Sequence, residues 1–171
     1  FGVSGAAVLY RRKALDDVAF KNQEGRTEYF DESMFMYKED VDLAYRMQWA
    51  GWKCHYTPDA IAYHDRTISS LAGKTLAVLK NRGGKPRNIN QMSYLHHQIL
   101  LKKNFADDYS FDTRKATFTY NFKVFVYLLL CEQETLFQWF KYLKIRGRIN
   151  AQRKEMPRRV TLDYMEQLMS S

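Results

Sequence analysis

The sequence has little cysteine and no long apolar run. Its two cysteines, Cys54 and Cys131, lie far apart, and neither belongs to a CxxC pair. This pattern gives no support to a disulfide framework or a zinc site, and it is typical of a reducing compartment. The longest uninterrupted apolar run, residues 124–131, has eight residues, whereas a membrane-spanning helix needs about 20. No spanning segment is expected in these 171 residues.

Several motifs of catalysis and phosphate binding are also absent. The chain has no GxSxG, no HExxH and no plausible nucleophilic cysteine. Gly83 and Gly84 stand between basic residues but lack the spacing of a phosphate-binding loop, so we interpret them as a surface turn. His96 and His97 are adjacent on a predicted helix and point apart, which makes a poor metal pair.

The net charge of +8 is unevenly placed. Residues 1–73 carry 9 basic and 11 acidic residues, a net charge of −2, whereas residues 74–171 carry 18 and 8, a net charge of +10. We therefore predict two regions, 1–73 and 74–171. The first suits a metal or a hydroxyl substrate, and the second suits anions such as phospholipid or nucleic acid.

The hydrophobic pattern predicts an α/β layer followed by helices. Leu43, Met47 and Ala50 form one stripe of a helix over residues 40–50, and Gly51 fits a left-handed residue that closes it. Strands are predicted at 3–10, 53–56 and 60–64, a turn at 57–59, and helices at 11–18, 75–80, 91–104 and 162–169. Because the chain enters directly on an apolar run without a methionine, we expect a piece of a longer domain.

Asp40 is the strongest candidate for chemistry. It stands with Glu39 at the predicted start of a helix, where the helix dipole favours negative charge. A carboxylate in a cleft can take a proton from an alcohol as that alcohol attacks an electrophile. The alternative is that these acids only supply negative charge to a first helical turn, and spacing alone favours that alternative.

His64 ends the predicted strand 60–64, where side chains of α/β folds emerge into a cleft. A neutral imidazole and carboxylates together can bind Mn²⁺ or a similar ion. Taken alone, His64 is better interpreted as a half-buried histidine bonded to a carbonyl. The ligand interpretation depends on Asp40, which lies one helix and one strand earlier.

The basic second region allows three interpretations. In residues 122–148 aromatic residues and leucines alternate with Lys and Arg, as they do in helices that lie in a membrane interface. An anionic cytoplasmic leaflet would attract this region. Ordinary core helices with a basic face rank second, and a surface for single-stranded RNA ranks third.

Two segments resemble a known family. SGAAVLYRRKAL at 4–15 and FDESMFMYKEDVDLAYRMQWAGWKCHYTPDAIAYH at 30–64 resemble the second half of family 2 glycosyltransferases, especially bacterial rhamnosyltransferase-like members that build polysaccharide on lipid carriers. The resemblance covers residues 1–70. HHQILLKKNF at 96–105 weakly resembles a helix that often follows in these enzymes.

The resemblance implies a GT-A fold, a nucleotide-sugar donor, a divalent metal (Mn²⁺ or Mg²⁺) and a lipid-linked or cell-surface glycan as acceptor. It implies that Asp40 is the catalytic base, that Glu39 helps to position the acceptor, that Trp52 lines the acceptor site or packs beneath it, and that His64 binds the metal. The family's donor-binding half and DxD motif are absent from this sequence, as is the QxxRW signature of processive members.

The sequence therefore predicts the acceptor side of an inverting, metal-dependent glycosyltransferase that adds one sugar at a time at the inner face of the cell membrane. Nucleic acid is not an expected partner. The rival hypotheses are a noncatalytic membrane-surface or RNA-binding module, and a metal-dependent phosphotransferase or hydrolase that uses the same carboxylates.

Overall fold

The structure is a computed structural model that describes residues 1–2, 5, 7–22, 24–61, 63, 82 and 85–170. In this part of the chain one helix precedes a two-stranded sheet, and six helices follow it. The elements are α1 Arg12–Val18, β1 Phe20–Lys21, β2 Thr27–Glu28, α2 Glu39–Trp49, α3 Arg87–Asn104, α4 Phe111–Cys131, α5 Gln133–Leu136, α6 Gln138–Glu155 and α7 Leu162–Ser170.

The two strands form a short antiparallel hairpin. Phe20 pairs with Glu28, and the connecting loop contains Gly25 at a φ of 76°. The side-chain oxygen of Asn22 accepts hydrogen bonds from the backbone N–H groups of Glu24 and Arg26, at 3.0 and 2.9 Å. An asparagine that bonds its own loop and a glycine with positive φ fix this turn.

Helix α2 packs against α1 through the predicted stripe. Val18, Leu43 and Ala50 form one buried cluster, with Met47 and Trp52 packed against it. Gly51 has a φ of 86°, so the predicted left-handed residue at the end of this helix is confirmed. The predicted helices at 11–18, 40–50, 91–104 and 162–169 are confirmed within one to four residues at their ends.

The second region is helical and packs back onto the first. Helices α3 and α6 lie side by side around a cluster formed by Met34, Ile99, Tyr142 and Ile149. A separate cluster joins the end of α2 to α7, and its buried members are Trp49, Ala106, Tyr109, Met156 and Met165. Helix α2 is therefore in contact with elements on both sides of it in the sequence.

The predicted α/β fold is confirmed only in part. Residues 7–10, 53–56, 60, 61 and 63 are not strands and pair with no strand among the described residues, and Leu9 is fully exposed. A strand needs a neighbour to pair its backbone groups, and the hairpin β1–β2 is the one sheet in the described residues. The predicted turn at 57–59 is confirmed by a hydrogen bond from Ala60 N–H to Thr57 O.

Several predictions fall on residues that the structure does not describe. They are the helix at 75–80, residues 3, 4, 6, 62 and 64 of the predicted strands, the turn at Gly83 and Gly84, and the boundary between residues 73 and 74. Among the helices that the structure does describe, none is both long and apolar enough to cross a membrane.

Candidate functional site

The turn before α2 holds an unusual backbone conformation. Tyr37 and Lys38 have φ angles of 67° and 72°, and they directly precede Glu39 and Asp40. Two successive residues other than glycine in the left-handed region are uncommon. Each costs about 1–3 kcal/mol, so the conformation persists only where surrounding contacts impose it. Such outliers cluster at active sites, so this turn marks the start of α2 as the candidate site.

A histidine on α3 holds this turn in place. His96 is 3% exposed, and its Nδ1–H donates to the carbonyl oxygens of Met36 and Tyr37, at 2.6 and 3.1 Å. Because both partners are acceptors, the imidazole must carry its proton on Nδ1. The second region thus contributes a residue that fixes the geometry of the first.

Asp40 is half-buried in the first turn of α2. Its Oδ2 accepts a 3.0 Å hydrogen bond from the backbone N–H of Gly5, and its Oδ1 accepts one of 2.8 Å from the N–H of Val41. These bonds fix the carboxylate's orientation, and each oxygen accepts one hydrogen bond from the described residues. A carboxylate held in this way can accept a proton from a hydroxyl group placed beside it.

Glu39 offers an unused acceptor next to Asp40. Its Oε2 is buried and has no hydrogen-bond partner among the described residues. A buried carboxylate oxygen without a partner is costly, and an acceptor hydroxyl or a cation would satisfy it. In the described part of the chain no three His, Cys, Asp or Glu side chains converge to hold a metal ion. These residues therefore do not by themselves form the expected metal site.

A lysine provides the positive charge of the site. Burial lowers the pKa of Lys38, and the negative charge of Asp40 opposes that shift. Lys38 forms no ion pair within 4.0 Å with any described residue. Burial and the charge of Lys38 lower the pKa of His97 to about 4, although a hydrogen bond with Asn121 acts in the opposite direction and raises it. His97 is therefore neutral near pH 7, and the charge of Asp40 favours the charged form of Lys38.

Beneath this site lies a network of fully buried charges. Lys103 Nζ is 2.5 Å from Asp31 Oδ2 and 2.9 Å from Asp42 Oδ1. Asp42 Oδ2 also pairs with Arg46 Nε at 2.9 Å, one helical turn later. The amide of Asn104 donates to Asp42 Oδ1 at 2.7 Å. Buried charges are tolerated only when they are paired and hydrogen-bonded, and these charged groups pair with one another, while the side-chain oxygen of Asn104 is buried without a partner among the described residues.

The network continues to the hairpin and to α6. Arg46 donates to the carbonyl oxygens of Val18 and Tyr29, at 2.6 and 2.7 Å. Arg148 pairs with Glu28 and lies 3.5 Å from Asp31 Oδ1. Three carboxylates therefore face three cations, and the network joins α1, the hairpin, α2, α3 and α6.

Trp52 lies at the other end of α2. Its indole N–H donates to Asp17 Oδ2 at 2.8 Å, and the ring packs against the cluster of Val18 and Leu43. Hydrogen bonds from Arg159 and then from Trp52 hold the pKa of Asp17 at about 2. Since α2 is about 16 Å long at 1.5 Å per residue, Trp52 is not beside Asp40.

The structure thus brings together two of the four predicted site residues, Asp40 and Glu39. Trp52 has the contacts of a packing residue, and its predicted contact with the acceptor stays a prediction. His64 lies outside the described residues. Sequence reasoning missed Lys38 and His96. It also missed the buried network, although Asp42 and Arg46 at i and i+4 on one helix were a visible signal.

Comparison with known proteins gives the family. Residues 2–84 match the model of the family described as "Glycosyltransferase like family 2". This segment belongs to glycosyltransferase family 2. The family-2 segment contains Asp31, Asp42 and the turn before α2, whereas His96 and Lys103, which hold them, lie beyond it.

Two curated relatives carry the same name in two strains of Mycobacterium tuberculosis, CDC 1551 / Oshkosh and ATCC 25618 / H37Rv. Each is an N-acetylglucosaminyl-diphospho-decaprenol L-rhamnosyltransferase, 40% identical over 68 residues. The match covers 40% of this chain and 19% of each relative. The chain therefore matches about a fifth of these relatives' length. No solved structure matches the chain with a significant score.

Proposed function

We propose that this chain forms the acceptor side of an inverting glycosyltransferase with Asp40 as the catalytic base. One observation carries the proposal. At the start of α2, within a family-2 segment, the Asp40 carboxylate accepts hydrogen bonds from the backbone N–H groups of Gly5 and Val41, and the preceding residue, Glu39, has a buried Oε2 without a partner among the described residues. An oriented base beside an unsatisfied acceptor suits the binding of a hydroxyl group.

In the proposed reaction Asp40 takes the proton of the acceptor hydroxyl while Glu39 accepts a hydrogen bond from a neighbouring group of the acceptor. The acceptor oxygen forms a bond to the anomeric carbon of a nucleotide-activated sugar. The bond from that carbon to the phosphate oxygen breaks, and its electron pair leaves with the nucleoside diphosphate. A single displacement of this kind inverts the anomeric centre, and Lys38 offsets negative charge close to it.

The proposal includes a divalent cation, Mn²⁺ or Mg²⁺, with His64 among its ligands. Such an ion would stabilise negative charge on the leaving diphosphate. The described residues alone do not form a complete metal site, so the proposed proton transfer and displacement depend only on side chains of this chain.

We further propose a lipid-linked or cell-surface glycan as acceptor and a location at the cytoplasmic face of the membrane. The names of the two relatives, which specify a diphospho-decaprenol-linked sugar, support this choice of acceptor. The donor is proposed to be a nucleotide sugar, and each reaction cycle is proposed to add one sugar.

The test is sugar transfer by the complete natural polypeptide carrying Asp40→Asn, an isosteric change that removes the base. We expect kcat to fall by roughly 10²–10⁴-fold, with donor binding retained in calorimetry. Asp59→Asn, which changes an exposed carboxylate of the same segment, is the matched control. Normal turnover by the Asp40 variant would refute the assignment, and free phosphate released without transfer would indicate a hydrolase.

His64→Ala tests the metal proposal separately. We expect the Mn²⁺ titration of activity to shift to higher concentration by roughly 10–100-fold, as is typical when a supporting group of a metal site is lost. An unchanged titration would remove His64 from the site while leaving the role of Asp40 intact.

A further inference from the structure

Helix α4 carries a row of exposed apolar side chains. Five apolar residues, spaced along the chain by seven, four, three and four positions, lie along one side of the helix. Each of their side chains is between 44% and 70% exposed. They are Phe111, Phe118, Phe122, Phe125 and Leu129, and we call this set the α4 stripe. The rings of Phe118 and Phe122 stack with centroids 6.2 Å apart.

The α4 stripe is not the side by which α4 attaches to the protein. Leu128 is the one buried residue of α4. Asn121, which binds His97 of α3, lies close to Leu128 around the helix and away from the stripe. The part of the chain that the structure describes therefore holds α4 by one side and leaves the aromatic side uncovered. A row of this kind on a monomer marks an interaction surface.

Two basic residues, Arg114 and Lys115, border the stripe, and Lys123 lies further round the helix, on the line of Leu130. Arg114, Lys115 and Lys123 are exposed on α4, and Asp112 is its one acidic residue. The Lys115 ammonium lies 5.9 Å from the centroid of the Phe111 ring. None of the three cations forms an ion pair within 4.0 Å with a described residue. Their charges are free to meet an external anion.

The same composition continues at the start of α6. Phe137 and Phe140 are each 64% exposed, and their rings stack at 6.3 Å. Lys141 and Lys144 follow directly and are exposed. Exposed phenylalanines beside unpaired lysines are the composition of helices that lie flat in the headgroup region, with rings toward the acyl chains and ammonium groups toward lipid phosphates.

A second copy of the chain fits this surface less well. Spacings of four, three and four also suit a pair of coiled helices, but such pairs use opposite charges beside the seam. The charged residues of α4 after Asp112 are all basic, and the chain carries a net charge of +8. A symmetric pair would place like charges together, whereas an anionic bilayer complements both the aromatic rings and the cations.

We propose that the α4 stripe, with Arg114, Lys115 and Lys123, is a membrane-binding surface that lies in the headgroup region of an anionic bilayer. This inference deepens the membrane location proposed above. It does not need the transferase reaction, because binding is measured without any sugar donor. Loss of transfer by Asp40→Asn with full membrane binding would separate the two proposals.

The test is flotation of the complete polypeptide with phosphatidylcholine vesicles, with and without phosphatidylglycerol. We expect binding to the anionic vesicles, weakened by Phe118→Ser/Phe122→Ser by about tenfold per phenylalanine. Leu9→Ser is the matched control, since Leu9 is fully exposed and lies outside α4, and it should bind like the parent. Circular dichroism should show that each variant keeps its helices, because the changed side chains are exposed.

A charge variant tests the contribution of the basic residues to membrane binding. Lys115→Glu/Lys123→Glu should weaken binding to phosphatidylglycerol vesicles by about fivefold per lysine or more, and added salt should remove that difference. Equal flotation of the stripe variant and the control would overturn the proposal. A lipid-free dimer that Phe118→Ser/Phe122→Ser dissociates, with no vesicle binding, would assign the stripe to a second copy. A salt-sensitive shift with single-stranded RNA but no flotation would also overturn it.

Discussion

The side-chain amide of Asn104 donates a 2.7 Å hydrogen bond to Asp42 Oδ1, and the two residues are 62 positions apart in the chain. Asp42 lies in the same helical turn as Asp40. The position of the proposed base therefore depends on a contact with the end of α3, beyond the family-2 segment. Helix α3 acts as a support for the site and not only as the start of a second region.

Removing the buried cation Lys103 should destabilise the protein strongly. Lys103→Met would leave the carboxylates of Asp31 and Asp42 buried without their shared partner. Breaking a buried ion pair from one side typically costs about 3–5 kcal/mol, which urea unfolding would measure. Lys102→Met, on the exposed neighbouring residue, should have little effect. Equal stability of the two variants would contradict the buried network.

Stability should fall in acid through the titration of Asp31. Burial would raise the pKa of Asp31, but the charge of Lys103 and hydrogen bonds from Lys103 and Ser33 outweigh it and hold the pKa at about 2. Because the folded pKa lies below the ordinary 3.8, the stabilisation is present above about pH 4. It is lost as the pH falls toward 2, and it is on the order of 2 kcal/mol.

Unfolding free energies measured from pH 5 to pH 2 would check this window. Asp31→Asn should be less stable than the parent at pH 5, and its stability should fall less steeply between pH 4 and pH 2. The exposed Asp59→Asn should follow the parent. A variant of Asp31 with the full acid dependence of the parent would assign that dependence to other carboxylates.

His96 should act as a positioning residue for the site. His96→Ala removes the donor to the carbonyls of Met36 and Tyr37, so the left-handed turn at Tyr37 and Lys38 can relax. We expect kcat for transfer to fall by roughly 10–100-fold, as is typical of a misplaced catalytic group. Donor affinity should change little. His96→Gln keeps an N–H donor and should recover part of the loss, and a loss of donor affinity alone would contradict this role.

Trp52→Phe should decide between packing and acceptor binding for Trp52. If the observed contacts define its role, losing the N–H bond to Asp17 should lower the unfolding free energy by about 1 kcal/mol and leave the acceptor KM unchanged. Trp139→Phe, which loses a bond to Tyr94 far along the chain, is the comparison variant. A raised acceptor KM with unchanged stability would instead support the predicted acceptor contact.

Four of the helices, α1, α2, α3 and α7, followed from local sequence, whereas the bounds of α4 to α6 and the strands did not. The stripe of Leu43, Met47 and Ala50 and the glycine after it predicted α2, because helix periodicity and termination are properties of neighbouring residues. Residues 53–56 looked equally regular but form no strand in the structure. A strand exists only where another segment pairs with it, and that partner is not encoded locally.

By itself, the sequence determined the family of residues 2–84, the helices α1, α2, α3 and α7 and the adjacency of Glu39 with Asp40, since all of these rest on nearby residues. Only the tertiary structure decided which distant side chains support them. Lys103 and Asn104 neutralise and orient Asp42, and His96 holds the turn before α2. The physical reason is that a buried charge or a strained turn needs a partner within about 3 Å, and chain folding alone brings such partners together.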